Sequence, residues 1–142
     1  MASGEESLSL LIARVAKELS RTFDDVLVAA GGSTPTWQVL RALSAGGHRT
    51  QADLAAAIGV RQPTLTHHLD ALERAGLVTR ERPEADRRVQ SVSVTESGAQ
   101  LFLRLRRAAA SFDGRLRAGL DDGDVAELRR LLGQLAENAG PD

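Results

Sequence analysis

The stretch Arg61-Gln62-Pro63-Thr64-Leu65-Thr66-His67-His68 gathers a guanidinium, an amide, two hydroxyls and two imidazoles. Such groups can read base edges: an Arg fork fits guanine, a Gln amide fits adenine, and a Thr methyl packs on the thymine methyl. At 100° per residue, Leu69 and Leu72 fall within about 40° of Leu65 on one side of a helix. Pro63, Thr66, His67 and Asp70 fall on the opposite side. Arg61, Gln62, Thr64, Thr66 and His67 therefore cluster at the helix start, on or beside its free face. No acid occurs from Arg61 to Leu69, and a helix N-terminus itself attracts anions. Adjacent His67 and His68 point about 100° apart and do not chelate one metal ion together. His68 turns toward the apolar side and reads as half-buried, whereas His67 is free for a nucleic-acid contact.

Two other clusters offer polar chemistry. Thr50 and Gln51 open an earlier helix, either as a cap alone or also as phosphate contacts. Asp86-Arg87-Arg88 closes the polar turn that starts at Pro83. Taken alone it is a solvated hairpin tip with a weak surface ion pair; beside a base-reading helix it becomes a pair of DNA contacts. Catalytic chemistry finds little support. The chain has no Cys, which excludes disulfides, thiol catalysis and Cys-ligated zinc. Its Ser and His residues form no nucleophile elbow, and there is no GxxxxGK phosphate loop. Asp121, Asp122 and Asp124 read as helix-capping acids, His48 as solvated, and Arg104, Arg106 and Arg107 as a solvated face. No enzyme activity, cofactor or metal is expected.

The net charge of the 142 residues is −1, so positive charge for nucleic acid has to be placed locally. All basic residues except Lys17 are Arg, which favours planar, bidentate contacts. Aromatics are scarce, with Trp37 reading as core, and this disfavours single-strand binding by stacking. No apolar run approaches the roughly 18 residues of a spanning helix. The N-terminus carries acids where a secretory signal has bases, and a cytoplasmic location is expected.

The elements that position these side chains follow from periodicity and punctuation. Leu8, Leu11, Ile12, Val15, Leu19, Phe23 and Val26 mark an amphipathic helix over 7–30, ended by Gly31-Gly32. Thr34 is read as the N-cap of a second helix, with Pro35 at its first position. Thr50 and Asp53 begin a short third helix, and Gly59 separates it from the fourth, which ends at Ala75-Gly76-Leu77 in a Schellman turn. Leu77–Arg82 and Val89–Val94 then read as a two-stranded hairpin. Thr95 caps a long helix to about Arg117, and Asp121-Asp122 starts a last one with Val125, Leu128, Leu132 and Leu135 three and four residues apart.

Helix, glycine turn, helix and hairpin in that order make a winged helix-turn-helix, with Ala55 small where two helices cross. The predicted class is mainly α with a two-stranded β-wing. The stripe of Leu8, Leu11, Ile12 and Val15, and that of Val125, Leu128, Leu132 and Leu135, either pack within one subunit or are shared between two copies. Sharing is the expectation for helices left outside the DNA-reading unit.

"TPTWQVLRAL", "TQADLAAAIGVRQPTLTHHLDALERAGLV" and "DRRVQSVSVTESG" together resemble the MarR family of bacterial transcription regulators. The resemblance covers roughly 8–138 and is most specific at Asp86-Arg87-Arg88 and Val94-Thr95-Glu96-Ser97-Gly98. It implies a single MarR-type domain over 1–142, with the winged helix-turn-helix at 34–95 and dimerisation helices at 7–30 and 96–138. It implies that Arg88 enters the DNA minor groove and Asp86 orients it; Arg87, next to them after a helix-turn-helix, reads as a phosphate contact. It implies a homodimer on a palindromic double-stranded operator, acting usually as a repressor and often released by a small phenolic or anionic effector. Arg61 stands where the family often has a small capping Ser, so the position either loses its cap or becomes a base or phosphate contact. Two other classes fit the pattern less well. A winged helix serving only as a dimerisation module requires a catalytic domain for which 142 residues leave no room. A winged-helix metal sensor is disfavoured by three His and no Cys.

Overall fold

The computed structural model describes residues 4–46, 50–81 and 91–141. Asp86, Arg87, Arg88 and His48 lie outside the described residues. The elements run α1 (Leu8–Ala29), α2 (Thr34–Ala45), α3 (Gln51–Ile58), α4 (Gln62–Arg74), β1 (Val78–Glu81), β2 (Ser91–Val94), α5 (Glu96–Leu116) and α6 (Asp122–Asn138). This is the mainly α, winged helix architecture expected from the pattern. No helix among the described residues is long and apolar enough to cross a membrane.

Helix starts are set by side-chain oxygens that accept otherwise orphaned N–H groups. Ser7 accepts from Leu10 N at 3.4 Å and Thr50 from Asp53 N at 3.0 Å. Asp121 and Asp124 form a reciprocal capping box, at 2.7 and 3.0 Å. At α2 the expectation is corrected by one residue. Ser33, not Thr34, is the N-cap and accepts from Thr36 N at 3.3 Å. Thr34 is inside the helix, and its N–H and hydroxyl both donate to Asp24 Oδ1 of α1, at 3.1 and 2.9 Å. A carboxylate from a neighbouring helix thus satisfies the donor that a local reading assigns to the wrong residue.

The chain divides into two compact units, Met1–Ala109 and Ala110–Asp142. The core of the first comprises Leu27, Val39, Leu40, Leu54, Ala55, Leu65, Leu69, Leu72, Val78, Leu101 and Leu105. These residues come from α1 to α5 and β1, so one apolar centre fixes the helix-turn-helix and the hairpin base together. Removal of this surface from water is the main force that holds them. Trp37 packs on the same core and stacks on Phe102, with ring centroids 5.5 Å apart. β1 and β2 are antiparallel in the register Val78↔Val94, Thr79↔Ser93, Arg80↔Val92 and Glu81↔Ser91. In the second unit Phe112 is buried and the Arg115 guanidinium lies 5.5 Å over its ring, a cation–π geometry. Leu128, Leu131 and Leu132 of α6 are 45–49% exposed.

Candidate nucleic-acid interface

Thr50 starts α3, and Leu54 and Ala55 bury its inner side. Gly59 ends the helix at φ +85°, a left-handed conformation that favours glycine. Val60 N bonds back to Ala55 O at 3.0 Å, and this tight reversal directs the chain into α4. Leu65, Leu69 and Leu72 seat α4 in the core. Its start is left to solvent: Arg61, Gln62, Pro63 and Thr64 are all exposed, and so is His67 one turn on. His68 is half-buried, as its helical angle predicts.

Arg61 occupies the N-cap of α4 and makes no side-chain cap bond. Its guanidinium cannot accept a hydrogen bond, so the first-turn N–H groups gain no acceptor from it. Thr66 is placed differently from its neighbours. It is half-buried, and its hydroxyl accepts from the Gln51 side-chain amide, joining the start of α3 to the middle of α4. Two of the polar residues singled out at the helix starts therefore hold each other. The Thr66 hydroxyl can still donate onward, and the Gln51 amide retains a carbonyl oxygen. Thr50 accepts the capping bond from Asp53 N, which likewise leaves its hydroxyl proton for an outside acceptor.

Sequence reasoning assigned no role to Arg80. Its guanidinium on β1 donates from Nη2 to Asp70 Oδ1 at 2.5 Å, and from Nε and Nη2 to the Glu73 carboxylate at 3.3 and 3.2 Å. The Arg80 side chain is 15% exposed. Glu73, by accepting these bonds, is held below the usual carboxylate range, and Arg80 is held more firmly protonated. Helical angle puts Asp70 on the free face of α4, whereas it is half-buried against this guanidinium. The available signal was two acids three residues apart on α4, facing the first basic residue of the strand that returns past them.

Where the hairpin meets α5, the chain approaches itself closely. Thr95 Oγ1 donates to Gly76 O at 2.6 Å and accepts from Gly98 N at 3.1 Å. Thr95 N bonds to Leu77 O at 3.0 Å. A Cβ built on Gly98 would sit 2.1 Å from that same Leu77 oxygen, so this position in "VTESG" admits no side chain. The hairpin that flanks residues 82–90 is thereby tied at its base to both α4 and α5.

Among the described residues, no group of three or more His, Asp or Glu is placed to hold a metal ion. Of the residues read as dimerising, Leu8, Leu11 and Val15 are exposed and Ile12 is half-buried on α1. On α6, Leu128 and Leu132 are exposed, and Val125 and Leu135 are half-buried.

Comparison with known proteins meets this geometry from two directions. The family model described as the MarR family matches residues 31–89, from the end of α1 through the segment between the strands. Solved structures extend the likeness to nearly the full chain. The DNA complex of MepR from S. aureus superposes with a TM-score of 0.84 at 23% identity, covering 94% of this chain and 99% of that one. The transcriptional repressor CouR bound to a 23-mer DNA duplex matches with a TM-score of 0.83 at 27% identity, over 96% and 98% of the two chains. CouR from Rhodococcus jostii bound to p-coumaroyl-CoA gives 0.76 at 25% identity, over 96% of each chain. A mutant MarR from E. coli complexed with operator DNA gives 0.79 at 25% identity, over 90% and 92%. The matched segment is the one that holds α4 on its core and leads into the hairpin, and the likeness beyond it takes in the outer helices as well. Residues 31–89 thus match the MarR family model, and the chain has the winged helix fold of solved MarR-family structures.

Proposed function

We propose that this protein is a homodimeric, sequence-specific DNA-binding transcription regulator, acting as a repressor in the cytoplasm and carrying no catalytic activity. The observation that carries the reading is the two-sided α4. Leu65, Leu69 and Leu72 are buried, while Arg61, Gln62, Thr64 and His67 stand exposed at the end of the helix that reads bases in winged helix proteins. Relatives of matching fold have been crystallised on DNA. In this reading Arg61, Gln62, Thr64 and His67 contact the major groove, with Thr66 beside them. Thr50 and Gln51 contact phosphate from the start of α3, and Arg87 and Arg88, with Asp86, reach the backbone and minor groove.

The winged helix-turn-helix spans 34–95, and the helices over 7–30 and 96–138 join two copies within a single domain organisation over 1–142. The support is the leucine and valine side chains that α1 and α6 leave exposed, including Leu8 at 56% and Leu128 at 49%. Clustered exposed apolar side chains of this kind on a helix mark association sites. Two copies would set their α4 helices into successive major grooves, about 34 Å apart, on a palindromic operator. A small-molecule effector that releases DNA is part of the proposal; CouR, a relative of like fold, binds p-coumaroyl-CoA.

The test is an unbiased selection of duplexes from random DNA by the full chain, with the mass of the bound protein measured in parallel. The reading expects an inverted repeat whose half-sites lie one helical turn apart, bound by a dimer. Enrichment of no motif contradicts it.

A further inference from the structure

Arg80 joins the two parts that a winged helix presents to DNA. Its guanidinium bridges Asp70 and Glu73, which are on α4 one and two turns beyond the exposed reading residues. Its backbone pairs with Val92 across the hairpin. A planar fork that engages two carboxylates at once fixes direction as well as distance, which an ammonium cannot do. The site is also closed on the protein side, since the guanidinium is mostly covered and its donors face the two acids.

We propose that Arg80 is a positioning residue for DNA binding: by clamping β1 to α4 it sets the angle between wing and recognition helix, so that both meet DNA as one rigid body. The proposal rests on the DNA-binding reading above. It makes a prediction opposite to that of charge alone. Replacing Asp70 and Glu73 by neutral isosteres removes two negative charges from a DNA-binding helix, which by Coulomb's law favours DNA. Loss of the clamp, in contrast, releases the hairpin and disfavours DNA.

The experiment uses the full-length protein, its selected duplex and fluorescence anisotropy over a range of salt. Wild type is compared with the double variant Asp70→Asn/Glu73→Gln, with Arg80→Ala and with Arg80→Lys, each at a temperature below the onset of its own melting. The double variant is expected to bind roughly three- to thirtyfold more weakly, the range for an indirect coupling, with Arg80→Lys between wild type and Arg80→Ala. The salt slope of Arg80→Ala is expected to equal that of wild type, since no phosphate contact is lost. Equal or tighter binding by the double variant overturns the proposal. So does a salt slope that falls by about one in Arg80→Ala, which would make Arg80 a phosphate contact. If Arg80→Ala does not fold, the isosteric double variant decides alone. A wild type that selects no duplex overturns both the DNA-binding reading and this one; a wild type that binds while the variants match it overturns only this one.

Discussion

At the scale of single residues, the side chains proposed to meet DNA and those proposed to hold them in place differ in how visible they are in sequence. Arg61, Gln62, Thr64 and His67 were legible because a helix repeats every 3.6 residues and three leucines define its inner side. The exposure of His67 follows from that angle, and that of Arg61, Gln62 and Thr64 from their place at the helix start, ahead of Leu65. Arg80 was not legible in this way, because its partners Asp70 and Glu73 sit on another element and only the fold brings them within reach. The motif around Gly98 was recognisable, yet its physical reason was hidden until the Leu77 carbonyl was placed against it. Gly98→Ala forces a Cβ into a backbone oxygen that is already engaged by Thr95 N. The variant is expected to lose about 2–4 kcal/mol, read as a lower midpoint in thermal or urea unfolding; an unchanged midpoint contradicts the close approach. The Arg80–Glu73 pair also gives a pH dependence. Bonds from Arg80 lower the folded-state pKa of Glu73 below its ordinary value. The resulting stability is complete above the ordinary glutamate pKa and is lost as pH falls through the lowered one. Thermal melts at decreasing acidic pH should therefore decline less steeply for Glu73→Gln than for wild type. Identical acid slopes would show that the pair is not formed.

Elements were read most reliably where glycine punctuates them. Gly31, Gly46, Gly59 and Gly76 each stand just past a helix end at a positive φ, which glycine adopts without steric cost. The start of α2 shows the limit of local reading. Thr34-Pro35 resembles a cap followed by its first residue, but Ser33 holds the cap, and Asp24 from α1 takes the Thr34 donors. That contact spans ten residues and carries no periodic signature. Asp24→Ala leaves the Thr34 N–H and hydroxyl without this acceptor, and a loss of about 1 kcal/mol is expected, within the range for helix caps. Urea unfolding with an unchanged m-value would measure it; a variant as stable as wild type would show that water replaces the carboxylate at no cost. The hairpin strands were placed within a residue or two by alternation, and their register with α4 came only from Arg80 and the shared core at Val78.

At the scale of the whole molecule, the apolar stripes on the outer helices were legible, while what covers them was an inference from what remains exposed. Leu128 and Leu132 are 49% and 45% exposed on α6 of a single copy, and an apolar helix stripe is stabilised by burial rather than by facing water. Leu128→Glu/Leu132→Glu is expected to convert the dimer to monomer in sedimentation velocity and to weaken binding to an inverted repeat more than to a half-site. A double variant that stays dimeric contradicts the assignment of this face. DNA binding itself depends on locally placed charge, because the net charge is only −1. The most direct measurement is an anisotropy titration of the full chain with DNA from beside its own gene and with a scrambled duplex, at two salt concentrations, for wild type and Arg88→Ala. The account predicts tight binding that prefers the native duplex, weakens steeply with salt, and falls in Arg88→Ala. Equal, weak binding to both duplexes, together with no motif enriched from random DNA, would contradict it.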